Sequence, residues 1–131
     1  MHQVFAHEAL TNGTSVAAGR RVVFHTHPTE LIALSHIKEL QNSKAVTETL
    51  YEMHPEVSVC VPRGVGWVPY EAPGSLELAQ ASIKDLKKFR FMLWERHGIL
   101  ATGNNILEVF DAVDTLNKAA KIFFYIRMQR R

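Results

Sequence analysis

Two histidines lie two residues apart in the sequence FHTHP, at the end of a short apolar run. Side chains at positions i and i+2 of a β-strand point to the same face, so a strand from Arg21 to His25 would project His25 and His27 together. Two neutral imidazoles on one side of a strand can chelate one metal ion. The alternative is a pair of half-buried histidines that hydrogen-bond to the backbone, and so short a motif does not separate the two interpretations.

A third histidine, His97, lies in a similar interruption of an extended segment. It follows an apolar strand predicted at 91–94 and precedes Gly98, which has no side chain to obstruct a cleft. With the first pair, His97 would complete a three-histidine site with an open fourth position, as in catalytic rather than structural zinc sites. Such an ion could polarise a carbonyl group as a Lewis acid. The other histidines lie in less informative contexts: His2, His7, His36 and His54.

The composition is that of a soluble globular protein. With 131 residues, 47% hydrophobic and 21% charged, the chain suits one domain, and its net charge of +2 is too small to indicate a nucleic-acid partner. No signal peptide and no apolar run approaching the ~20 residues of a membrane span is visible. The single cysteine, Cys60, excludes an internal disulfide and indicates a reducing compartment. We therefore expect a cytoplasmic protein without a membrane partner.

Strand and helix patterns alternate along the chain, which predicts an α/β fold. Apolar runs predict strands at 21–25, 57–61, about 67–68, 91–94 and 99–102, with Cys60 buried in the second of them. Apolar residues at helical spacing predict helices at 29–40, 44–53, 75–89 and from Asn105 onwards. A turn-rich loop is expected at 11–19. The pattern leaves open whether the sheet is parallel, antiparallel or mixed.

Three blocks of the sequence resemble the class II aldolase/adducin family: RVVFHTHPTELIALSHI, LYEMHPEVSVCVPRGVGWVPYEAPGS and FMLWERHGILATGNNILEVFDAVDTLNKAAK. They span residues 20–121 in the family's order and spacing. The resemblance implies a three-layer α/β/α sandwich around a mixed or mainly antiparallel sheet, here truncated. It also implies a homo-oligomer, a tetramer in the family, with sites near subunit boundaries. The likeness is strongest to members that cleave L-rhamnulose 1-phosphate to dihydroxyacetone phosphate and L-lactaldehyde.

The resemblance also implies roles for individual residues. His25, His27 and His97 would ligate Zn²⁺ or another divalent transition metal, which is the trio reached above from spacing. Glu56, in the sequence MHPE, falls at the position of a glutamate associated with the active site. Its alternative interpretation is a solvated loop carboxylate between a helix and a strand.

Members of the family are longer than this chain, and the resemblance implies that their catalytic glutamate and phosphate pocket precede the H-x-H motif. Here Glu8 is the only upstream carboxylate, and it matches no motif residue. We therefore expect residues 1–131 to be the C-terminal, metal-binding portion of a class II aldolase, inactive alone. A non-catalytic adducin-like interaction module, and a small metallohydrolase with Glu56 as base, remain as alternatives.

Overall fold

The computed structural model describes residues 21–129, in which four strands form one sheet. The strands are β1 (Val22–Thr26), β2 (Val65–Val68), β3 (Phe91–Trp94) and β4 (Gly98–Gly103). Their order in the sheet is β1-β4-β3-β2; β4 pairs antiparallel with both β1 and β3, whereas β2 and β3 are parallel. The sheet is therefore mixed, within the alternatives expected from the sequence.

Helices connect the strands, and polar side chains mark where several of them begin. The side-chain oxygens of Asn42, Ser75 and Asn105 accept hydrogen bonds from backbone N–H groups of the turns that follow, which otherwise lack partners. A 3₁₀ turn covers Lys38–Leu40. The helices are α1 (Thr29–Leu34), α2 (Ser43–Met53), α3 (Glu56–Cys60), α4 (Leu76–Lys84) and α5 (Ile106–Gln129).

The sheet separates two hydrophobic cores, because alternate residues of each strand face opposite sides. On β3, Phe91 and Leu93 face a core formed with α1, α2, α3 and α5. Met92 and Trp94 face the other way, into a smaller core that contains Leu78 of α4. Helices thus cover both faces of the sheet, which gives the three layers that the family resemblance implies.

One edge of the sheet is covered by hydroxyl groups of α2. The hydroxyl of Thr47 accepts from the N–H of Val65 at 2.9 Å, and that of Ser43 accepts from the N–H of Trp67 at 3.0 Å. These N–H groups alternate along β2 with those that point toward β3. Since an unpaired strand edge can recruit another chain, the two hydroxyls close this edge.

The strand predicted at 57–61 is wrong, because Glu56–Cys60 form helix α3. Val57 and Val61 are 0% and 2% exposed and lie four residues apart, a helical spacing, whereas Val59 between them is 72% exposed. The run of β-branched residues favoured a strand, but packing against the core selected the helix. As a result Cys60 is exposed, contrary to the burial expected from the sequence.

Two further helices are shorter than predicted. The helix expected at 29–40 ends at Leu34. The next residue, Ser35, donates its hydroxyl to the carbonyl of Ile32, and such a side-chain bond to the backbone competes with the regular helical pattern. The helix expected at 75–89 ends at Lys84, and turns carry Leu86 into the core. The loop predicted at 11–19, and Glu8, lie outside the described residues. None of the helices within residues 21–129 has both the length and the hydrophobicity needed to cross a bilayer.

Candidate metal centre

Strand register brings the two histidine motifs together at one end of the sheet. His25 of β1 lies opposite Leu100 of β4, and Thr26 lies opposite Ile99. The end of β1 therefore meets the start of β4, where His97 immediately precedes the strand. His27 follows β1 directly, so all three imidazoles reach the same place from neighbouring strands.

The turn between β3 and β4 is held by contacts on both sides of Arg96. The N–H of His97 donates to the carbonyl of Trp94 at 3.1 Å and closes the turn. Arg96 has φ of 60°, a left-handed conformation that non-glycine residues rarely adopt. Its N–H donates to the buried hydroxyl of Ser35 at 2.8 Å, and its guanidinium lies 4.3 Å from the centroid of the Tyr70 ring. These contacts offset the backbone strain next to His97.

The three imidazoles form a compact cluster of nitrogen donors. One ring nitrogen from each of His25, His27 and His97 lies within 4.8 Å of the others. The Nε2 atoms of His25 and His27 are 3.0 Å apart. Two nitrogens bound to one tetrahedral zinc ion at 2.0–2.1 Å are separated by about 3.3 Å. The His25–His27 pair is therefore close to the spacing that a shared ion requires, and the third nitrogen lies within 4.8 Å of both.

A backbone carbonyl fixes the tautomer of His25. Its Nδ1 lies 2.9 Å from the carbonyl oxygen of Ile99. Because a carbonyl can only accept, Nδ1 carries the hydrogen and Nε2 keeps its lone pair. That lone pair belongs to the nitrogen that faces His27. A second hydrogen bond that orients the ring is a common feature of histidine metal ligands.

The surroundings favour the neutral, ligating form of two of the imidazoles. Desolvation by the surrounding protein lowers the pKa of His25, and the nearby His27 lowers it further, although the bond to Ile99 opposes the shift. Desolvation also lowers the pKa of His97, with repulsion from His25 and His27 adding to the effect. Two histidines with lowered pKa therefore lie beside each other without a neutralising carboxylate, since no Asp, Glu or Cys of residues 21–129 joins the cluster.

One ring nitrogen of the cluster lacks any partner in the described part of the chain. The Nδ1 atom of His97 is buried and makes no hydrogen bond there. A buried polar atom without a partner costs on the order of 1–3 kcal/mol, and such atoms are rare in folded proteins. Coordination of a cation by Nδ1 would remove this cost, so the cluster fits a metal ion on this observation as well.

Gly98 leaves the space that the imidazoles occupy. A Cβ atom at this position would lie 2.4 Å from the carbonyl oxygen of Thr26 and 2.9 Å from Cδ2 of His27. It would also lie 3.3 Å from Cε1 of His25. The sequence-based expectation that Gly98 keeps the site unobstructed therefore has a geometric basis.

Glu56 lies apart from the three imidazoles. It is exposed in the first turn of α3, a helix that packs through Val57 against the larger core. The ring of His25 instead lies 4.5 Å from that of Trp94, which belongs to the smaller core on the other face. Within one copy of the chain, the sheet separates Glu56 from the cluster.

Sequence reasoning missed Trp94, Ile99 and Ser35, the residues that hold the cluster in place. The alternation of β3 predicts only that Trp94 and Met92 share a face. Their position relative to His25 depends on β4 lying between β1 and β3, and this strand order has no signal in the local sequence.

Comparison with known proteins places this chain in a family. Residues 15–124 match the family described as the class II aldolase and adducin N-terminal domain. The rhamnulose-1-phosphate aldolase of Bacteroides thetaiotaomicron is 42% identical over 99 residues, which cover 76% of this chain and 37% of that protein. The enzyme of the same name from Enterococcus faecalis is 39% identical over 109 residues, with coverage of 83% and 39%. The chain thus spans less than two fifths of the length of these relatives.

Solved structures show the same fold. The sugar-phosphate aldolase of Thermotoga maritima matches with a TM-score of 0.83 and 28% identity, over 99% of this chain and 55% of that one. The L-fuculose-1-phosphate aldolase of Thermus thermophilus matches with a TM-score of 0.75 over 95% of this chain and 63% of that one, and at 22% identity this likeness concerns the fold alone. Since the family match covers most of the sequence, the chain belongs to the class II aldolase and adducin family.

Proposed function

We propose that this chain supplies the metal centre of a class II aldolase that cleaves L-rhamnulose 1-phosphate to dihydroxyacetone phosphate and L-lactaldehyde. The observation that carries the proposal is the convergence of three imidazoles from β1 and from the β3–β4 turn, with no carboxylate of residues 21–129 among them. The choice of substrate is supported by the names of the relatives that are 42% and 39% identical to it.

Each imidazole has a definite part in holding the ion. His25 would bind through Nε2, because its Nδ1 donates to Ile99, and His27 would bind through the Nε2 that faces it. His97 would bind through one of its ring nitrogens, which lies within 4.8 Å of a ring nitrogen of each of the other two histidines. Nitrogen donors suit zinc, and also copper, iron and nickel, so zinc is the first candidate among divalent transition metals. When bound, the ion would supply Lewis acidity that draws electron density from the substrate carbonyl.

Aldol cleavage also needs a base and an anchor for the phosphate. The base must take the proton of the hydroxyl group beyond the breaking carbon–carbon bond. None of the carboxylates in residues 21–129 lies in the imidazole cluster. We therefore assign the main base and the phosphate pocket to a part of the complete enzyme outside residues 21–129, and we expect no turnover by the chain alone.

Glu56 remains our candidate for a further proton carrier. Its carboxylate is exposed and lies on the face of the sheet opposite to His25. Within one copy it cannot take part at the metal centre, so its role requires a site shared between subunits. This is the arrangement that the family resemblance implies, and the proposal therefore includes a homo-oligomer.

The proposed compartment is the cytoplasm. Cys60 is a free, exposed thiol, and such thiols persist most readily under reducing conditions.

A chimera tests the proposal directly. Residues 15–124 would replace the matching segment of the Bacteroides thetaiotaomicron aldolase, and release of dihydroxyacetone phosphate from L-rhamnulose 1-phosphate would be measured. We expect activity in the chimera, its loss on His97→Ala, and none from the 131-residue chain alone. Turnover by the chain alone would contradict the assignment of base and phosphate pocket elsewhere. A folded chimera that binds no metal would favour the non-catalytic interaction module.

A further inference from the structure

Trp94 lies against two of the three imidazoles. It is the last residue of β3, is 4% exposed, and belongs to the smaller core. The centroid of its ring lies 4.5 Å from that of His25 and 5.0 Å from that of His97. The planes are tilted by 37° and 51°. One indole thus contacts imidazoles that arrive from two different parts of the chain.

The orientation of this indole is set by α4. The Nε1–H of Trp94 donates to the hydroxyl of Ser82 at 2.8 Å, and that hydroxyl donates to the carbonyl of Leu78 at 2.8 Å. Ser82 is completely buried. Because a hydroxyl has a single hydrogen, its bond to Leu78 leaves its lone pairs for the indole. The two bonds in series prevent the indole from rotating in its pocket.

Within residues 21–129, hydrogen bonds constrain the rotation of these two imidazoles only in part. His25 has one hydrogen bond to the backbone, at Ile99, and its Nε2 lies 3.0 Å from Nε2 of His27. The Nδ1 atom of His97 has no hydrogen-bond partner within residues 21–129. A rotation of either ring about its Cβ–Cγ bond would move a ligand nitrogen. If the rings must be reoriented when the ion binds, the free energy of that rearrangement lowers the affinity for the ion. A fixed surface against both rings limits this rotation.

We infer that Trp94, held by Ser82, is a positioning residue that orients the imidazoles of His25 and His97 for metal binding. The inference rests on the proposed metal centre. It gives α4 a function beyond covering the sheet, because α4 fixes the platform on which two ligands lie. A purely structural Trp94 would contribute to stability without affecting the geometry of a bound ion.

The test is metal binding by purified variants of the whole chain, with Co²⁺ as the probe because its visible d–d absorption reports ligand geometry. We expect Trp94→Leu to weaken Co²⁺ binding by about tenfold or more, the range seen when groups that orient metal ligands are lost. Ser82→Ala should weaken binding by less and should alter the d–d band, because the indole remains but is no longer tied. Trp94→Phe should recover much of the loss seen with Leu, since it restores an aromatic face.

Two control variants separate positioning from stability and from loss of an indole. Leu86→Ala removes a fully buried side chain from the same core without removing the Ser82–Trp94 bond. Trp67→Phe removes the chain's other tryptophan, which packs against the opposite core. Both should bind Co²⁺ as the wild type does, with an unchanged band. Trp67→Phe also leaves Trp94 as the sole tryptophan. In this background, quenching of Trp94 emission by bound Ni²⁺ should rank the variants that keep Trp94 in the same order as their Co²⁺ affinities.

The outcomes distinguish the inference from the proposed function. A wild-type chain that binds no Co²⁺ would overturn the metal centre itself. If the wild type binds but Trp94→Leu and Ser82→Ala bind equally well with the same band, only the positioning role is overturned. It is also overturned if Leu86→Ala weakens binding as much as Trp94→Leu, since the loss would then follow stability alone.

Discussion

The carbonyl of Ile99 determines which nitrogen of His25 is available as a ligand. Through the bond at 2.9 Å it holds the ring with Nε2 toward His27. At the residue scale the cluster therefore depends on two features of the backbone: the Ile99 carbonyl, and the space left because Gly98 has no side chain. The space at Gly98 can be tested by substitution.

Gly98→Ala should lower both stability and metal affinity. Its Cβ would lie 2.4 Å from the Thr26 carbonyl oxygen and 2.9 Å from Cδ2 of His27, so β1 or the rings must shift. We expect a loss of about 1–3 kcal/mol in the free energy of unfolding, measured with urea, and a weaker Zn²⁺ affinity by titration. The matched control is Gly103→Ala at the other end of β4, where the new Cβ would lie 2.6 Å from Val109 Cγ2. It should lose stability but keep its metal affinity, and equal affinities in all three proteins would contradict the role of Gly98.

The metal-free protein should lose stability as the pH falls. The pKa values of His25 and His97 are lowered in the folded state from 6.5, so the unfolded chain takes up protons first. The free energy of unfolding should therefore decrease below about pH 6.5 and level off once the pH is below the lowered folded values. Urea unfolding with a chelator present, from pH 7.5 to 5, measures this. A His25→Gln/His97→Gln variant should show a flatter dependence, and an identical slope would contradict the shifts.

At the scale of elements, features set by residues close together in the sequence were predicted correctly, whereas features set by contacts distant in the sequence were not. The H-x-H spacing in β1 and the His97-Gly98 break after β3 are local patterns, and the structure brings one ring nitrogen of each histidine within 4.8 Å of the others. The segment 57–61 failed because its β-branched residues favour a strand, while contacts distant in sequence made it α3. The Ser82–Trp94 bond joins α4 to β3, and nothing in either segment alone indicates that they meet.

The cover over the β2 edge is a property of α2 that can be tested with an isosteric change. Thr47→Val removes the hydroxyl that accepts from the Val65 N–H and donates to its carbonyl oxygen. We expect a loss of about 1–3 kcal/mol in unfolding free energy, because a backbone group loses its partner. Thr49→Val, on the same helix, removes a hydroxyl that does not bond to β2 and should cost much less. Equal losses would show that helix propensity rather than edge cover accounts for the effect.

At the scale of the whole molecule, one end of a mixed sheet carries the three-histidine cluster, while α1 and α4 cover its two faces. The chain spans only 37% and 39% of the relatives it matches, and the proposed function assigns the base and the phosphate pocket outside residues 21–129. On the proposed function, residues 21–129 bind the metal ion, whereas turnover requires the complete enzyme.

The most direct test is the amount of metal bound per chain. The purified 131-residue protein, freed of metal by a chelator and titrated with Zn²⁺, should bind about one ion per chain by elemental analysis after dialysis. His97→Ala should strongly reduce the amount of zinc bound, because only two of the three imidazoles of the cluster remain to hold the ion. His36→Ala, which removes an exposed imidazole outside the cluster, should bind as the wild type does. A folded wild-type chain that retains no zinc, or a His97→Ala variant that retains as much as His36→Ala, would contradict the metal centre.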